Sequence, residues 1–397
     1  MSKQDTIYSD LIDWLKKTWD GLPETDELIP LMKATYTPEE ASLLTGIPFS
    51  GRFLEELAEL KEMDSAELRP KLDTLAKKCA LFRTISGDTV RYSLNAAIFS
   101  FYRGAFWHGR TDERTMSMAP LVNHYYYNGF WDQYKYTHFK GLRALPAEGT
   151  MEDTRQILPY EEVIKVLDTK EYFAVSHCPC RHRKNIDLDS PSCSYPTENC
   201  LHFDRLGHYT VENELGREIT REEAHDLLRQ SVEHGLVHGV SNYQEGVDTI
   251  CNCCQCHCLM FEAVHKLGHA EGMTHSNYRV RTNSETCIGC GLCVKRCPMN
   301  ALHLKDFPEA KGRITVVASE ADSGQKEMKN KTGKVSALNT DLCIGCGVCA
   351  YKCPTKSLVL EHREVIEAPP LNAREYTMRV IEDFAASKPA IKQRKGT

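Results

Sequence analysis

Two stretches of the chain repeat one arrangement of cysteines. The first is Cys287-Ile-Gly-Cys290-Gly-Leu-Cys293-Val-Lys-Arg-Cys297-Pro298, and the second is Cys343-Ile-Gly-Cys346-Gly-Val-Cys349-Ala-Tyr-Lys-Cys353-Pro354. Three thiolates so closely spaced can wrap one cubane only from a tightly turning loop. Gly289, Gly291, Gly345 and Gly347 allow that turn and leave backbone N–H groups free to point at sulfur. The fourth cysteine of each run begins a helix leading away. The chemistry implied is thiolate ligation of [4Fe–4S] clusters. Structural zinc uses paired CxxC knuckles instead of a four-cysteine run.

Nine further cysteines precede these runs. Four are Cys178, Cys180, Cys193 and Cys200, and five are Cys251, Cys253, Cys254, Cys256 and Cys258, within CNCCQCHC. Each group offers at least the four thiolates that one cubane requires, so one or two additional iron–sulfur clusters are expected in the middle of the chain. Two other chemistries stay open: a four-cysteine zinc site, and redox disulfide chemistry at the adjacent pair Cys253 and Cys254. Cys178 and Cys180 flank Pro179, where the chain is expected to turn. Arg181, His182, Arg183 and Lys184 follow directly. They read either as cations that offset a cluster's negative charge or as a solvated basic loop. His177 and His257 lie beside these cysteines and read as ligands or as hydrogen-bonding neighbours.

The elements that must position these groups divide the 397 residues into several parts. Residues 1–95 read as helices followed by a hairpin. Thr37-Pro38-Glu39-Glu40 is a capping box and Asp64 starts another helix. Phe53, Leu54, Leu57 and Leu60 share one helical face, and Leu68, Leu72, Leu75 and Cys79 another, with Cys79 a core thiol. RTISGDTVRYSL forms the hairpin. Residues 96–150 are an aromatic-rich connecting segment, read as a partner surface or as a packed linker. Residues 151–275 form a cysteine-rich α/β metal module in which Pro159 to Ile164 opens a helix and Tyr172 to Val175 is a strand leading to Cys178. Residues 276–366 carry the two cysteine runs around a polar insert at 321–335 that reads as a surface hairpin or loop. Residues 367–397 are a tail expected to be mobile.

Composition narrows the class. Of 18 cysteines, only Cys79 lies outside residues 178–353, and the first residues show no apolar signal segment. A disulfide scaffold is therefore excluded, and a reduced, cytoplasmic setting is expected with no transmembrane segment. Residues 1–95 hold 12 Lys and Arg against 17 Asp and Glu, in a chain of net charge −6. Arg69, Lys71, Lys77, Lys78, Arg83 and Arg91 are candidates for phosphate contacts, but the acidic balance opposes them, so DNA binding is the minor reading and docking the main one. No GxGxxG follows a strand and no GxxxxGK[ST] or HExxH is present, so flavin or nicotinamide would come only through a partner.

Both runs match the CxxCxxCxxxCP motif and resemble bacterial two-cluster ferredoxins. That resemblance implies one cluster on Cys287, Cys290, Cys293 and Cys353 and another on Cys343, Cys346, Cys349 and Cys297. The whole chain resembles a group of bacterial iron–sulfur proteins, through Cys178-Pro179-Cys180-Arg181, Asn199-Cys200, Gly216 to Thr220, Gly235 to His238 and Cys251 to Cys254. These join a winged-helix-like N-terminus, a middle CxCR and CNCC segment, and a C-terminal two-cluster ferredoxin domain. The fold class implied is α+β multidomain. The function implied is low-potential electron transfer in anaerobic metabolism, as a carrier or subunit of an oxidoreductase complex. An oxidoreductase whose middle module holds a catalytic or electron-splitting centre and a redox-sensing regulator are the alternatives.

Overall fold

The computed structural model describes residues 3–18, 22–131, 140–151, 160–269, 272–318 and 324–394. The chain is mixed helix and sheet and divides into two units, each assembled from separated segments. One contains residues 1–139, 171–220 and 377–397, and the other residues 140–170 and 221–376.

In the first unit three helices precede the short strand Arg52–Phe53 and two follow it, and in the three-stranded antiparallel sheet Thr89–Leu94 lies between Leu81–Ser86 and Arg52–Phe53. The Thr37 capping box is present: Thr37 Oγ1 accepts from the Glu40 N–H at 3.2 Å, and Glu40 Oε2 accepts from the Thr37 N–H at 3.0 Å. Asp64 caps the next helix through the Ala66 N–H at 2.8 Å. Leu57 is buried as expected, but Phe53 lies in the strand before the helix and Leu60 is 51% exposed, because Leu57 and Ala58 set the buried face and Leu60 lies off it.

Cys79 is fully buried, yet it lies beyond the helix Ser65–Lys77 rather than on its stripe. Its φ is +62°, its N–H donates to Ala76 O at 2.9 Å, and the following Ala80 N–H donates to Leu75 O at 2.9 Å. This pair of bonds is a Schellman motif whose left-handed position is held by cysteine instead of the usual glycine.

The aromatic segment is interior as far as residue 131. Phe101, Trp107, Tyr125, Tyr126 and Trp131 are buried, and residues 132–139 lie outside the described part. The rest of the unit supplies the antiparallel strands Glu198–Phe203, Phe173–His177 and Arg217–Glu218, in that spatial order. Cys178 follows the central strand at the N-cap position of the helix Pro179–Ile186, so the chain turns from strand to helix between the two cysteines.

In the second unit Val237–Ser241 pairs with Leu142–Ala144 on one side and Thr249–Cys253 on the other. Helices Arg221–Glu233, Leu259–Leu267 and Val163–Asp168 belong to it. Pro159 itself lies outside the described residues. Tyr278–Thr282 pairs with Leu358–His362, and Leu302–Asp306 pairs with Lys334–Leu338, both antiparallel. The insert is a hairpin of Ile314–Ala318 and Gln325–Lys329, with residues 319–323 outside the described part. One apolar core runs through Phe261, Val237, Met273, Tyr278, Val280, Leu358 and Leu360. Where a mobile tail is expected, a helix spans Ala373–Arg394. Among the described residues no helix is long and apolar enough to cross a membrane.

Candidate metal centres

Each cysteine run folds into a loop followed by a short helix, Leu292–Arg296 in the first and Val348–Tyr351 in the second. Gly345 shows why the loop needs glycine. Its φ is +70°, and a Cβ there would stand 2.1 Å from Ser276 Oγ and 2.2 Å from Tyr278 O. The two loops and their distant fourth cysteines enclose two cavities. One is lined by Cys287, Cys290, Cys293 and Cys353. The other is lined by Cys297, Cys343, Cys346 and Cys349. Cys290 is exposed and Cys353 half-buried, whereas all four cysteines of the second cavity are buried.

Burial pushes the thiols of Cys293, Cys297, Cys346 and Cys349 above the ordinary range. A buried thiolate is favourable only beside positive charge, and iron supplies it. The backbone partly prepares for this. The Ala301 N–H donates to Cys297 Sγ at 3.2 Å, and the Ser336 N–H donates to Cys287 Sγ at 3.5 Å. Donors of this kind favour ligand negative charge. Four cysteines around each of two cavities suit a pair of [4Fe–4S] clusters.

Sequence reasoning did not find the residues that clamp these loops. Asn330 Nδ2 donates at 2.9 Å to both Cys287 O and Lys334 O. Ser276 Oγ donates to Gly345 O at 3.0 Å, the Ala147 N–H donates to Cys346 O at 3.2 Å, and Arg363 donates to Cys343 O. Arg296 donates to Val348 O at 3.2 Å and to Val232 O at 2.6 Å, joining the second loop's helix to the end of helix Arg221–Glu233. Nothing in the residue types marks these as partners. The Cys-Gly pattern alone implies that loop carbonyls facing inward must be met by someone's donors.

The middle cysteines fall on both units. In the second, Cys251 and Cys253 are two apart on one strand and so share a face, while Cys258 caps the helix Leu259–Leu267. The Cys253 thiol sits within hydrogen-bonding reach of Cys251 and Cys258, and these neighbours together with burial push it well above the ordinary range. Cys253 and Cys258 join the same core as Cys293, Cys297, Cys343, Cys346 and Cys349. From the same helix His265 Nε2 lies 2.7 Å from Pro298 O, one residue past Cys297. Cys254, Cys256 and His257 form a separate set whose ligand atoms lie within 4.8 Å of one another.

In the first unit Cys178 and Cys180 are half-buried at the start of helix Pro179–Ile186, and Cys193 is half-buried with its N–H donating to Asn185 Oδ1 at 2.7 Å. Cys200 is buried in an apolar cluster with Cys79, Trp107, Leu206, Tyr209 and Leu215. The basic run is no solvated loop: Arg181, His182, Arg183 and Lys184 are all buried. Arg183 donates to Asn123 Oδ1 at 2.6 Å and to Tyr102 Oη at 2.7 Å, Arg181 donates to Asn199 Oδ1, and Lys184 donates to Tyr127 Oη at 3.0 Å. His177 lies beside His182, with ring centroids 6.1 Å apart.

Comparison with known proteins agrees with the geometry at the cysteine runs. The 4Fe-4S dicluster domain matches residues 286–357. The Ferredoxin-3 of Rhodobacter capsulatus is 30% identical over 79 residues, which are 20% of this chain and 76% of that protein. The putative ferredoxin-3 of Sinorhizobium fredii is 34% identical over 77 residues, 19% of this chain and 71% of the relative. The pyruvate-flavodoxin oxidoreductase of Rhodospirillum rubrum is 29% identical over 106 residues, 26% of this chain but 8% of that much longer protein. No solved structure matches. Through residues 286–357, the chain belongs to the 4Fe-4S dicluster ferredoxin family.

Proposed function

We propose that the chain carries low-potential electrons between a redox partner and an oxidoreductase, through two [4Fe–4S] clusters in its ferredoxin domain and at least one further iron–sulfur centre in its middle. The two four-cysteine cavities carry this reading. Their lining supports one cluster on Cys287, Cys290, Cys293 and Cys353, and another on Cys343, Cys346, Cys349 and Cys297. The clusters supply one-electron exchange when bound. The protein's part is to hold thiolates, aim N–H donors at sulfur and control exposure to water. Exposure orders the pair: the Cys290 side faces solvent and suits exchange with a soluble carrier, while the buried centre suits passage inward.

Cys251, Cys253 and Cys258 supply three contacting thiols within the same core and are the ligands we favour for a third centre. Cys178, Cys180, Cys193 and Cys200 are the further candidates in the first unit. The buried cations Arg181, Arg183 and Lys184 support a negatively charged centre near Cys178 and Cys180. The likeness to a stretch of pyruvate-flavodoxin oxidoreductase supports redox protein partners. We read the N-terminal helices and hairpin as a docking module. Lys78 pairs with Glu40 at 2.6 Å, Lys71 with Glu67 at 2.7 Å and Arg83 with Asp73 at 3.0 Å, so three of the cations that DNA phosphates would need already have acidic partners.

Iron and acid-labile sulfide analysis of anaerobically purified protein tests the reading. About twelve or more irons per chain support the third centre, and about eight confine iron to the ferredoxin pair. Fewer than that, without a low-potential reduced signal in electron paramagnetic resonance, would sink the electron-transfer reading itself.

A further inference from the structure

The run from Cys251 to Cys258 presents its donors in two sets. Cys251 and Cys253 share a strand face and meet Cys258 at the start of the next helix. Between them the chain makes one tight turn, closed by the Cys258 N–H donating to Cys254 O at 3.3 Å. That turn gathers the other set: Cys254 Sγ, Cys256 Sγ and a ring nitrogen of His257 all lie within 4.8 Å of one another.

We infer that Cys254, Cys256 and His257 form a mononuclear transition-metal site of the zinc class, distinct from the iron–sulfur centres proposed above. Spacing is the first argument. Metal–sulfur bonds of about 2.3 Å at tetrahedral angles bring donors to roughly 3.5–4 Å of each other, which this set reaches by small side-chain rotations. Donor type is the second argument. A mixed thiolate and imidazole set suits zinc, whereas all-cysteine ligation is the rule for [4Fe–4S] clusters of ferredoxin type. Burial is the third. Cys254 and His257 are buried, which strengthens ligation by excluding water, and Cys256 is exposed, which leaves a side from which an ion can arrive. The three residues supply three of four tetrahedral positions, and water or one more thiolate completes the set.

The test is zinc, iron and sulfide analysis on the full-length protein purified anaerobically, as wild type and as the Cys254→Ser/Cys256→Ser and His257→Ala variants. The expected result is about one zinc per wild-type chain, at least a tenfold loss of zinc in the double variant, and unchanged iron, sulfide and reduced-state resonance spectrum. No zinc in the wild type, or a loss of about four irons from the double variant, would overturn the inference. Zinc-edge X-ray absorption on the wild type alone guards against a variant that fails to fold. A shell of two or three sulfurs with imidazole scattering supports the site, and an all-oxygen or all-sulfur shell refutes it. Iron content reads the ferredoxin clusters separately, so failure of this site and failure of the electron-transfer reading give different results.

Discussion

Ser336 touches two ligands of one cavity at once: its hydroxyl oxygen lies 3.4 Å from Cys293 Sγ, and its N–H donates to Cys287 Sγ at 3.5 Å. Hydrogen bonds to cluster thiolates stabilise the more negative, reduced state. Ser336→Ala keeps the backbone donor and removes the hydroxyl. If that bond differs by about 1 kcal/mol between redox states, the potential of the solvent-facing cluster should fall by about 40 mV. Redox titration followed by electron paramagnetic resonance reads the shift, and an unchanged potential would show that the hydroxyl does not tune the cluster.

Gly345 and Gly87 make a matched pair for the loop argument. Both have positive φ, but a Cβ at Gly345 meets Ser276 and Tyr278, while one at Gly87 meets nothing within 4 Å. Gly87→Ala should therefore cost only about 1 kcal/mol, from backbone strain. Gly345→Ala should cost several times that, with loss of about four irons, because the loop holding Cys343 and Cys346 must shift. Thermal unfolding and iron content together measure both effects.

Cys79 predicts an unusual order of stabilities. Its left-handed backbone favours glycine, while its buried sulfur, 3.4 Å from Tyr209 Oη, fills space that glycine would leave open. Cys79→Ala loses the sulfur and keeps the strain. Cys79→Gly loses the sulfur and relieves the strain, and should be more stable than the alanine variant by about 1 kcal/mol. Burial pushes this thiol up to about 12, so it stays protonated, and neither variant should lose iron. Alanine proving the more stable of the two would argue against a strained position.

Acid should weaken the fold through His238. Burial holds its imidazole down to about 4, against the one hydrogen bond it makes with Asn252 Oδ1 at 2.7 Å. Between about pH 6.5 and 4 the unfolded chain takes up a proton that the folded chain refuses. The neutral ring's contribution is therefore complete above about 6.5 and is lost as pH falls toward 4, by up to about 3 kcal/mol. His238→Gln removes the titration. Comparing the melting temperatures of wild type and variant at neutral pH and near pH 5 cancels the effects of cluster protonation, which both share, and wild type should fall further.

The cysteine runs are legible in the sequence because ligation of one cubane by neighbouring thiols imposes its spacing on consecutive residues. The capping box at Thr37 is legible for the same reason, since its two hydrogen bonds span three residues. What clamps the loops is not: Asn330 and Ser336 lie 43 and 49 positions beyond Cys287, Asn330 ahead of the strand Lys334–Leu338 and Ser336 on it, and only the fold brings them to the loop. Cys200 and Cys79 share one apolar cluster although one sits in a cysteine-rich segment and the other stands alone. Burial among aromatics is set by tertiary packing, which neither spacing nor composition reports. Leu60 shows the same limit, since tertiary packing decides which face of the helix Leu54–Lys61 is buried, and that face is centred on Leu57 and Ala58.

The division of the chain into interleaved segments bears on how the protein is made. Residues 140–151 belong with the cluster loops: Met151 bridges to Leu360, and Ala147 bonds Cys346 O. Synthesis proceeds from the N-terminus at roughly 5–20 residues per second, so these early residues leave the ribosome well before the cysteines they support. The second cavity can close only after Leu360, which lines it, has emerged. Iron insertion therefore waits until both of these separated segments are out, and until then the exposed thiols depend on the reducing power and chaperones of their surroundings.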